Sequence, residues 1–452
     1  MEVREKQNNM IKFVSYNNFG LWDTKRYLSE KIKSRFPLVR LGVHIKEQNH
    51  RVKLYDFPDT EFGILGINNK TGIYDAYIEK GLKINQSYKK MEKGWLAYNP
   101  YRVNVGSIGI YTNGLKNEYI SPAYVVFSCK EDLAPEFLLL LFKTTQFNRI
   151  INESTTGSVR QNLNYEILKA IEIPLPNPKE QDVILKNYNE LISISNKLEI
   201  EANSLSESIE DYVFQFLGIS KNNSIIIQKG LNYVKSSSLK TWSVKKILNS
   251  NKTLLVSNKF NNKPLSNLMY INPVTDIGAL NANDAMTFLP MECISDEKGE
   301  IIERRDGIKL NSHGYTKFKE NDIIWAKITP CMENGKSAIA RRLTNGFGYG
   351  STEYHVIRKK EENFLIDFAY YLLRLQIVRK EAAFQFIGSS GQQRVPGYFL
   401  EDLIVPVPPI KIQLEFVEQM KKMNDKINFL KTESEKYKIQ AVKEFELKIF
   451  KK

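Results

Sequence analysis

The chain has 452 residues, 42% hydrophobic and 26% charged, too long for one ordinary core and too apolar for disorder to dominate. Lysine and arginine outnumber aspartate and glutamate 65 to 51, a net charge of +14, which favours a polyanionic partner because each neutralised phosphate releases condensed counterions. Three cysteines without a Cys-x-x-Cys pair and four histidines without ligand spacing exclude a disulfide framework and argue against a zinc site.

Residues 1–20 read as a tail; MEVREKQNNM holds no apolar run and is no signal peptide. Residues 21–178 read as a first globular domain of mixed pattern. Short β-rich runs such as Phe62–Ile67 and Tyr124–Phe127 alternate with Gly, Asn and Pro turns. One helix is predicted over Pro135–Ile151, from apolar residues recurring near 3.6. Its greasiest part, FLLLLF, falls far short of the ~20 residues a membrane span needs. A cytoplasmic protein is therefore expected, with no membrane partner. A short strand then runs into Pro174-Leu-Pro176 and stops, since proline cannot donate to a ladder.

Residues 179–217 predict a long spacer helix, roughly 58 Å at ~1.5 Å per residue. Its seam, Ile184, Tyr188, Leu191, Ser195, Leu198, Ala202, Leu205, Ile209, Tyr212 and Phe216, steps by four and three in the manner of a coiled coil. Ser195 and Ala202 loosen that seam. Residues 218–240, with Asn222-Asn223-Ser224 and Ser236-Ser237-Ser238, read as a linker. Residues 241–408 then repeat the first plan, with a strand at Ile323–Trp325 and one helix over Leu365–Phe386. Residues 409–450 predict a second spacer helix, with a seam from Phe416 through Ile427 and Ser434 to Ala441 and on to Ile449.

The second half is thus a copy of the first, displaced by 226 to 234 residues. Pro37-Leu38 returns as Pro264-Leu265, and Gly81–Asn85 as Gly307–Asn311. Ala97 answers Ala326, Pro100 answers Pro330, Tyr124 answers Tyr354 and Phe137 answers Phe368. Gly157 with Arg160 answers Gly391 with Arg394. Ile173–Pro176 and Gln181 answer Val405–Pro408 and Gln413. The expected fold is α+β: two β-rich duplicates joined by two long antiparallel helices around a pseudo-two-fold axis.

Asn99-Pro100-Tyr101 is one proline short of the Asn/Asp-Pro-Pro-Tyr box of amino-methyltransferases. That chemistry also needs a glycine-rich loop for S-adenosylmethionine and an acid for its ribose. No such loop precedes Asn99, and the repeated position, read as Thr329-Pro330-Cys331, has no amide or carboxylate. The segment is read as a turn, with proline fixing φ and asparagine capping it. No phosphate loop, nuclease constellation or histidine pair stands elsewhere, so no catalytic residue and no cofactor is assigned to this chain.

Taken together, Ala97–Gly109, Ile120-Ser-Pro-Ala-Tyr124, Trp325–Lys336 and Gly350-Ser-Thr-Glu-Tyr354, each with its Gly/Ser-Arg loop, Pro-x-Pro and glutamine, resemble the specificity subunit of type I restriction–modification systems. The likeness spans nearly the whole length. It implies a non-catalytic subunit that binds double-stranded DNA. Each globular copy is then a target recognition domain for one half of a bipartite, asymmetric site. The helices set the gap and dock two methyltransferase subunits, which carry S-adenosylmethionine. Motor and endonuclease subunits complete the complex in phage defence. The alternatives are a specificity subunit of a motor-less methylation or defence system, or a stand-alone DNA amino-methyltransferase.

Direct readout needs Arg, Lys, Asn or Gln on loops that enter the major groove. In the first copy the candidates are Arg102, Asn104, Ser107, Arg160, Gln161 and Asn162. In the second they are Lys327, Lys336, Arg341, Arg342, Gln392, Gln393 and Arg394. Tyr88-Lys89-Lys90 and Arg304-Arg305 are further candidates for phosphate.

Overall fold

A computed structural model of the chain describes residues 32–103, 106–154, 162–220, 233, 236, 254–389 and 391–451. The predicted tail, most of the predicted linker, and the candidates Asn104, Arg160 and Gln161 lie outside them. The fold divides into two compact units, Met1–Lys197 with Glu433–Lys452, and Leu198–Thr432.

In the first unit the strands are β1 (Leu38–Arg40), β2 (Ile45–Glu47), β3 (Arg51–Val52), β4 (Glu61–Asn68), β5 (Gly72–Lys80), β6 (Tyr88–Lys90), β7 (Leu96–Tyr98), β8 (Ile108–Ile110), β9 (Tyr119–Ile120) and β10 (Val125–Cys129). Helices α1 (Pro135–Lys143), α2 (Thr145–Ser154) and α3 (Tyr165–Ala170), strand β11 (Glu172–Pro174) and the long helix α4 (Pro178–Leu217) follow, the helix belonging to the second unit from Leu198 on. They build a five-stranded sheet of order β3-β6-β9-β4-β5, a four-stranded sheet β2-β10-β7-β8 and the pair β1-β11.

The second unit holds β12 (Asn261–Pro264), α5 (Leu265–Leu268), β13 (Met269–Ile271), β14 (Ala285–Leu289), β15 (Arg305–Ile308), β16 (Thr316–Lys319), β17 (Ile323–Ala326), β18 (Ser337–Ile339), β19 (Phe347–Gly350) and β20 (Tyr354–Lys359). Helices α6 (Ile366–Arg374), α7 (Gln376–Phe384) and α8 (Gly397–Asp402), strand β21 (Ile404–Val407) and the long helix α9 (Ile410–Ile449) complete it, the helix belonging to the first unit from Glu433 on. Its sheets run β13-β20-β17-β18, β15-β14-β19-β16 and β12-β21. Among the described residues the order repeats that of the first unit without a counterpart of β3, and it keeps the parallel pairing, β4 with β9 and β14 with β19.

Strand periodicity explains the layers. Successive side chains point to opposite faces. Leu96, Tyr98 and Phe127 pack under α1 and α2, while Ala97 and Val126 face the five-stranded sheet. In the second unit Trp325 and Ile357 take the helix side, and Ile324 and Val356 the sheet side. The central strands are buried on both faces, hence their unbroken apolar runs.

The helix predicted over Pro135–Ile151 is two helices. The backbone turns extended at Thr144, whose hydroxyl donates to Leu141 O at 2.7 Å and accepts the Phe147 N–H at 3.2 Å. This side chain competes with the helical ladder and ends one helix while starting the next. The helix predicted over Leu365–Phe386 likewise breaks at Leu375, which is buried in the core. Each second helix begins under a carboxylate from a long helix. Glu446 accepts the Thr145 N–H and Glu210 the Ile377 N–H, both at 2.7 Å. The orphan donors of a helix start and its positive dipole end favour such a partner.

Gln181 and Gln413 are buried clamps. Gln181 donates to Asp132 O and Pro176 O at 2.8 and 2.9 Å and accepts the Ala134 N–H at 2.8 Å. Gln413 makes the same three bonds with Asn363 O, Pro408 O and the Leu365 N–H. One amide thereby ties the start of a long helix to the Pro-x-Pro exit and to the loop before α1 or α6.

The long helices run antiparallel within each unit. In the first, Ser195 and Ser434 bond through their hydroxyls at 2.9 Å and Tyr188 packs on Phe445. The weak point of the seam is thus a satisfied polar pair. In the second, Tyr212 and Phe216 stack around Phe416 and Lys426 reaches Glu201 at 2.8 Å.

Strand pairing corrects part of the repeat alignment. Lys130 and Lys360 each donate a backbone N–H to the residue just before β2 or β13. Three residues earlier, Phe127 lies opposite Leu96 and Ile357 opposite Ile323. Leu96 therefore corresponds to Ile323, so Ala97 answers Ile324 rather than Ala326, and Pro100 answers Lys327 rather than Pro330. Asn99 answers Ala326, which also lacks an amide. The loops that follow differ in length, and the shared alanine and proline fell together by chance.

Candidate nucleic-acid interface

Two loops meet at the end of the central strand in each unit. In the first, Asn99 Oδ1 accepts the Tyr101 N–H at 3.0 Å and Asn99 O accepts the Arg102 N–H at 3.0 Å, closing the turn expected from Asn-Pro. Pro100 O then accepts the Leu163 N–H at 2.9 Å, and Tyr98 Oη donates to Leu163 O at 2.9 Å. In the second, Lys327 O accepts the Val395 N–H at 2.8 Å, and Gln393 O accepts the Thr329 N–H at 3.0 Å. Leu163 and Val395 are thus equivalent, and the residue matching Arg394 is Asn162, not Arg160.

The candidates divide by environment. Arg102 is exposed on the first turn, and Asn162 beside it keeps a buried Oδ1 with no partner among the described residues. Ser107 is buried at 5% exposure, with its backbone tied to Asn99 and Arg102. Lys327, Gln393 and Arg394 come together, with Gln392 exposed next to them. Gly391, at φ +83°, allows that loop its left-handed turn.

Lys336 lies apart and spends its ammonium on Met291 O at 3.0 Å. Arg341 pairs with Asp367 at 2.6 Å, and Arg304 caps Arg341 O. Arg342 is exposed at φ +59°, its N–H held by Glu320. Among the phosphate candidates, Tyr88 and Lys89 are buried, and Lys89 donates to Tyr124 O at 3.0 Å. Lys90 pairs with Glu118, and Arg305 with Glu292 and Glu303.

Glu353 is a residue of this site that sequence reasoning does not assign. Its carboxylate grips Arg394 through two bonds, Oε2 to Nε at 2.8 Å and Oε1 to Nη2 at 2.7 Å. The guanidinium holds the carboxyl below the usual carboxylate range. The two residues are far apart in sequence, so only the fold reveals the pair. Comparing the copies offers one signal: Ala123 stands where the second copy has Glu353.

His355 supports the loop from below. Its Nε2 donates to Val395 O at 2.8 Å, which leaves Nδ1 to accept from Asn272 Nδ2 at 3.0 Å, and its ring stacks on Trp325. Burial lowers its pKa from 6.5 to about 4, and the Lys327 charge adds to the effect. The unfolded chain therefore takes up a proton at higher pH than the folded one. Stability from this site is full above pH 6.5 and is lost as the pH falls toward 4, by ~3 kcal/mol at most. Urea titrations at pH 7 and pH 4.5 should show His355→Gln losing less stability on acidification than the wild type. Equal losses in both would assign the acid sensitivity to other groups.

Among the described residues no group of three or more His, Cys, Asp or Glu is placed to hold a metal, and no helix is long and apolar enough to cross a membrane.

A family model described as the type I restriction modification DNA specificity domain matches residues 62–211 and 304–438. The specificity subunit of the type I restriction enzyme EcoAI of Escherichia coli is 38% identical over 156 residues, 33% of this chain and 25% of that protein. The EcoEI specificity subunit of Escherichia coli is 32% identical over 163 residues, 35% of this chain and 27% of that protein. The similarity therefore spans about a quarter of those relatives' length. A chain solved in work on complex assembly and conformational transition of the type I R-M system has a TM-score of 0.52 at 13% identity, over 92% of this chain and 98% of its own, and shares the fold. With one matched segment on each duplicate and more than half of its length covered, the chain belongs to the type I restriction modification DNA specificity domain family.

Proposed function

We propose that this chain is the non-catalytic DNA-recognition subunit of a type I restriction–modification complex. Residues 21–178 and 241–408 serve as its two target recognition domains, each reading one half of a bipartite, asymmetric site in double-stranded DNA. The observation that carries this reading is the meeting of two loops at the central strand of each unit. Those loops present Arg102 in one copy and Lys327, Gln392, Gln393 and Arg394 in the other, while Asn162 stands at the first copy's loop junction with its Oδ1 buried. Arg, Asn and Gln are the side chains that pair bidentately with purine edges. The copies carry different sets, so the half-sites differ. Arg342 on its exposed turn adds a phosphate contact, whereas Ser107 and Lys336 act on the protein's own backbone.

The long helices set the gap and dock two methyltransferase subunits, which bring S-adenosylmethionine; motor and nuclease subunits join through them. Val183, Ile200, Phe429 and Ile439 on α4 and α9 are each at least 60% exposed, apolar area that a docked subunit would cover. Sequencing modified bases in DNA from cells with and without this chain tests the reading. One split motif is expected to carry methylation only when the chain is present. A methylation pattern independent of the chain would refute it.

A further inference from the structure

We infer that Glu353 is a positioning residue that makes Arg394 a reader of guanine in the half-site taken by the second unit. The inference rests on the DNA-recognition role proposed above and adds a residue and a base to it.

The first support is geometric. A guanidinium carries five N–H donors. Glu353 takes one from Nε and one from Nη2, and Gln392 O takes one from Nη1 at 2.8 Å. One donor is left on each terminal nitrogen, as many as the O6 and N7 atoms of guanine require. The main chain is held as well, because Arg394 exchanges both backbone bonds with Ile387 at 2.9 Å. A fork fixed at both ends loses little freedom on binding.

The second support is electrostatic. With its side chain 41% exposed, the pair is a surface salt bridge, which by itself adds little to stability. Its effect on a ligand is larger. Glu353 cancels the charge that would draw Arg394 to any phosphate, while the outer donors keep their directional bonds. Affinity for DNA of any sequence falls, and the contact that depends on the base remains.

The third support is the contrast between copies. Ala123 and Asn162 occupy the corresponding positions in the first unit, so neither acid nor fork is present there. A scaffold contact needed by the fold would stand in both.

The test uses the full chain assembled with its methyltransferase partner. Duplexes are selected from a randomised pool, and competition is then measured with single base-pair variants of the selected site. Glu353→Gln is expected to lose ~10-fold in discrimination at one G·C pair. Its affinity for unrelated duplex should rise, with a log–log salt slope steeper by about one. Arg394→Lys keeps the charge without the fork and should lose the same base preference. In an Arg394→Gln background, Glu353→Gln should change discrimination no further. A uniform loss across all duplexes, or unchanged discrimination in Glu353→Gln, would overturn the inference. A wild-type complex that prefers no sequence would instead overturn the recognition role, and this inference with it.

Discussion

Arg358→Leu is expected to destabilise the second unit by ~3–5 kcal/mol, the usual cost of stripping one partner from a buried ion pair. Arg358 meets Asp322 through two bonds, Nε to Oδ1 at 2.8 Å and Nη2 to Oδ2 at 2.7 Å, and Nη2 also reaches Thr275 Oγ1 at 2.7 Å. Asp322 is 1% exposed and immediately precedes the central strand β17. Without Arg358 its carboxylate keeps one donor at Oδ2, the Lys319 N–H at 2.8 Å. It must then remain charged in a poor solvent or take up a proton. Most of the cost is this stranded charge rather than the lost attraction. The double variant Asp322→Leu with Arg358→Leu should therefore recover much of the stability. Urea unfolding of the wild type, both single variants and the double variant closes the cycle. A double variant as unstable as the sum of the singles would show that desolvation is not the controlling term.

Gln413→Leu is expected to cost ~2–4 kcal/mol, and Gln181→Leu a similar amount in the first unit. Each amide makes three hydrogen bonds from a site with at most 1% exposure. Leucine fills the volume but leaves two carbonyls and one N–H unpaired, and buried polar groups without partners are costly. Asn363 is exposed, so water relieves part of the loss there, which keeps the estimate below that for Arg358. Hydrogen exchange should report it locally: the Leu365 amide, which Gln413 holds, is expected to exchange far faster in the variant. An unchanged melting curve and unchanged exchange at Leu365 would reduce the clamp to packing.

Much of the architecture is legible without coordinates. The seam of alternating four- and three-residue steps in 179–217 emerges as α4, and the short β-rich runs emerge as β4, β10 and β17. What the periodicity missed is the break at Thr144. A threonine hydroxyl serves equally well inside a helix or across a break, and only the packing around it decides. The break at Leu375 carries no local signal at all. The candidate site was legible as composition rather than as arrangement. Arg394 stands out in the sequence with its loop, but Glu353, His355 and Asn272 reach that loop from strands and turns distant in sequence. Lys89 and Arg305 looked like phosphate ligands because a lone sequence shows a charge and hides its partner.

By itself, the sequence determined that the chain is doubled, that each copy ends in a long amphipathic helix, and that its basic excess suits a polyanion. These follow from local spacing and summed charge, which one dimension records in full. Tertiary structure alone decided the register between the copies, which cations are already paired, and which amide or guanidinium ends where two loops meet. Those outcomes depend on hydrogen bonds and ion pairs between segments far apart along the chain, whose distances of a few ångströms no spacing of residues encodes.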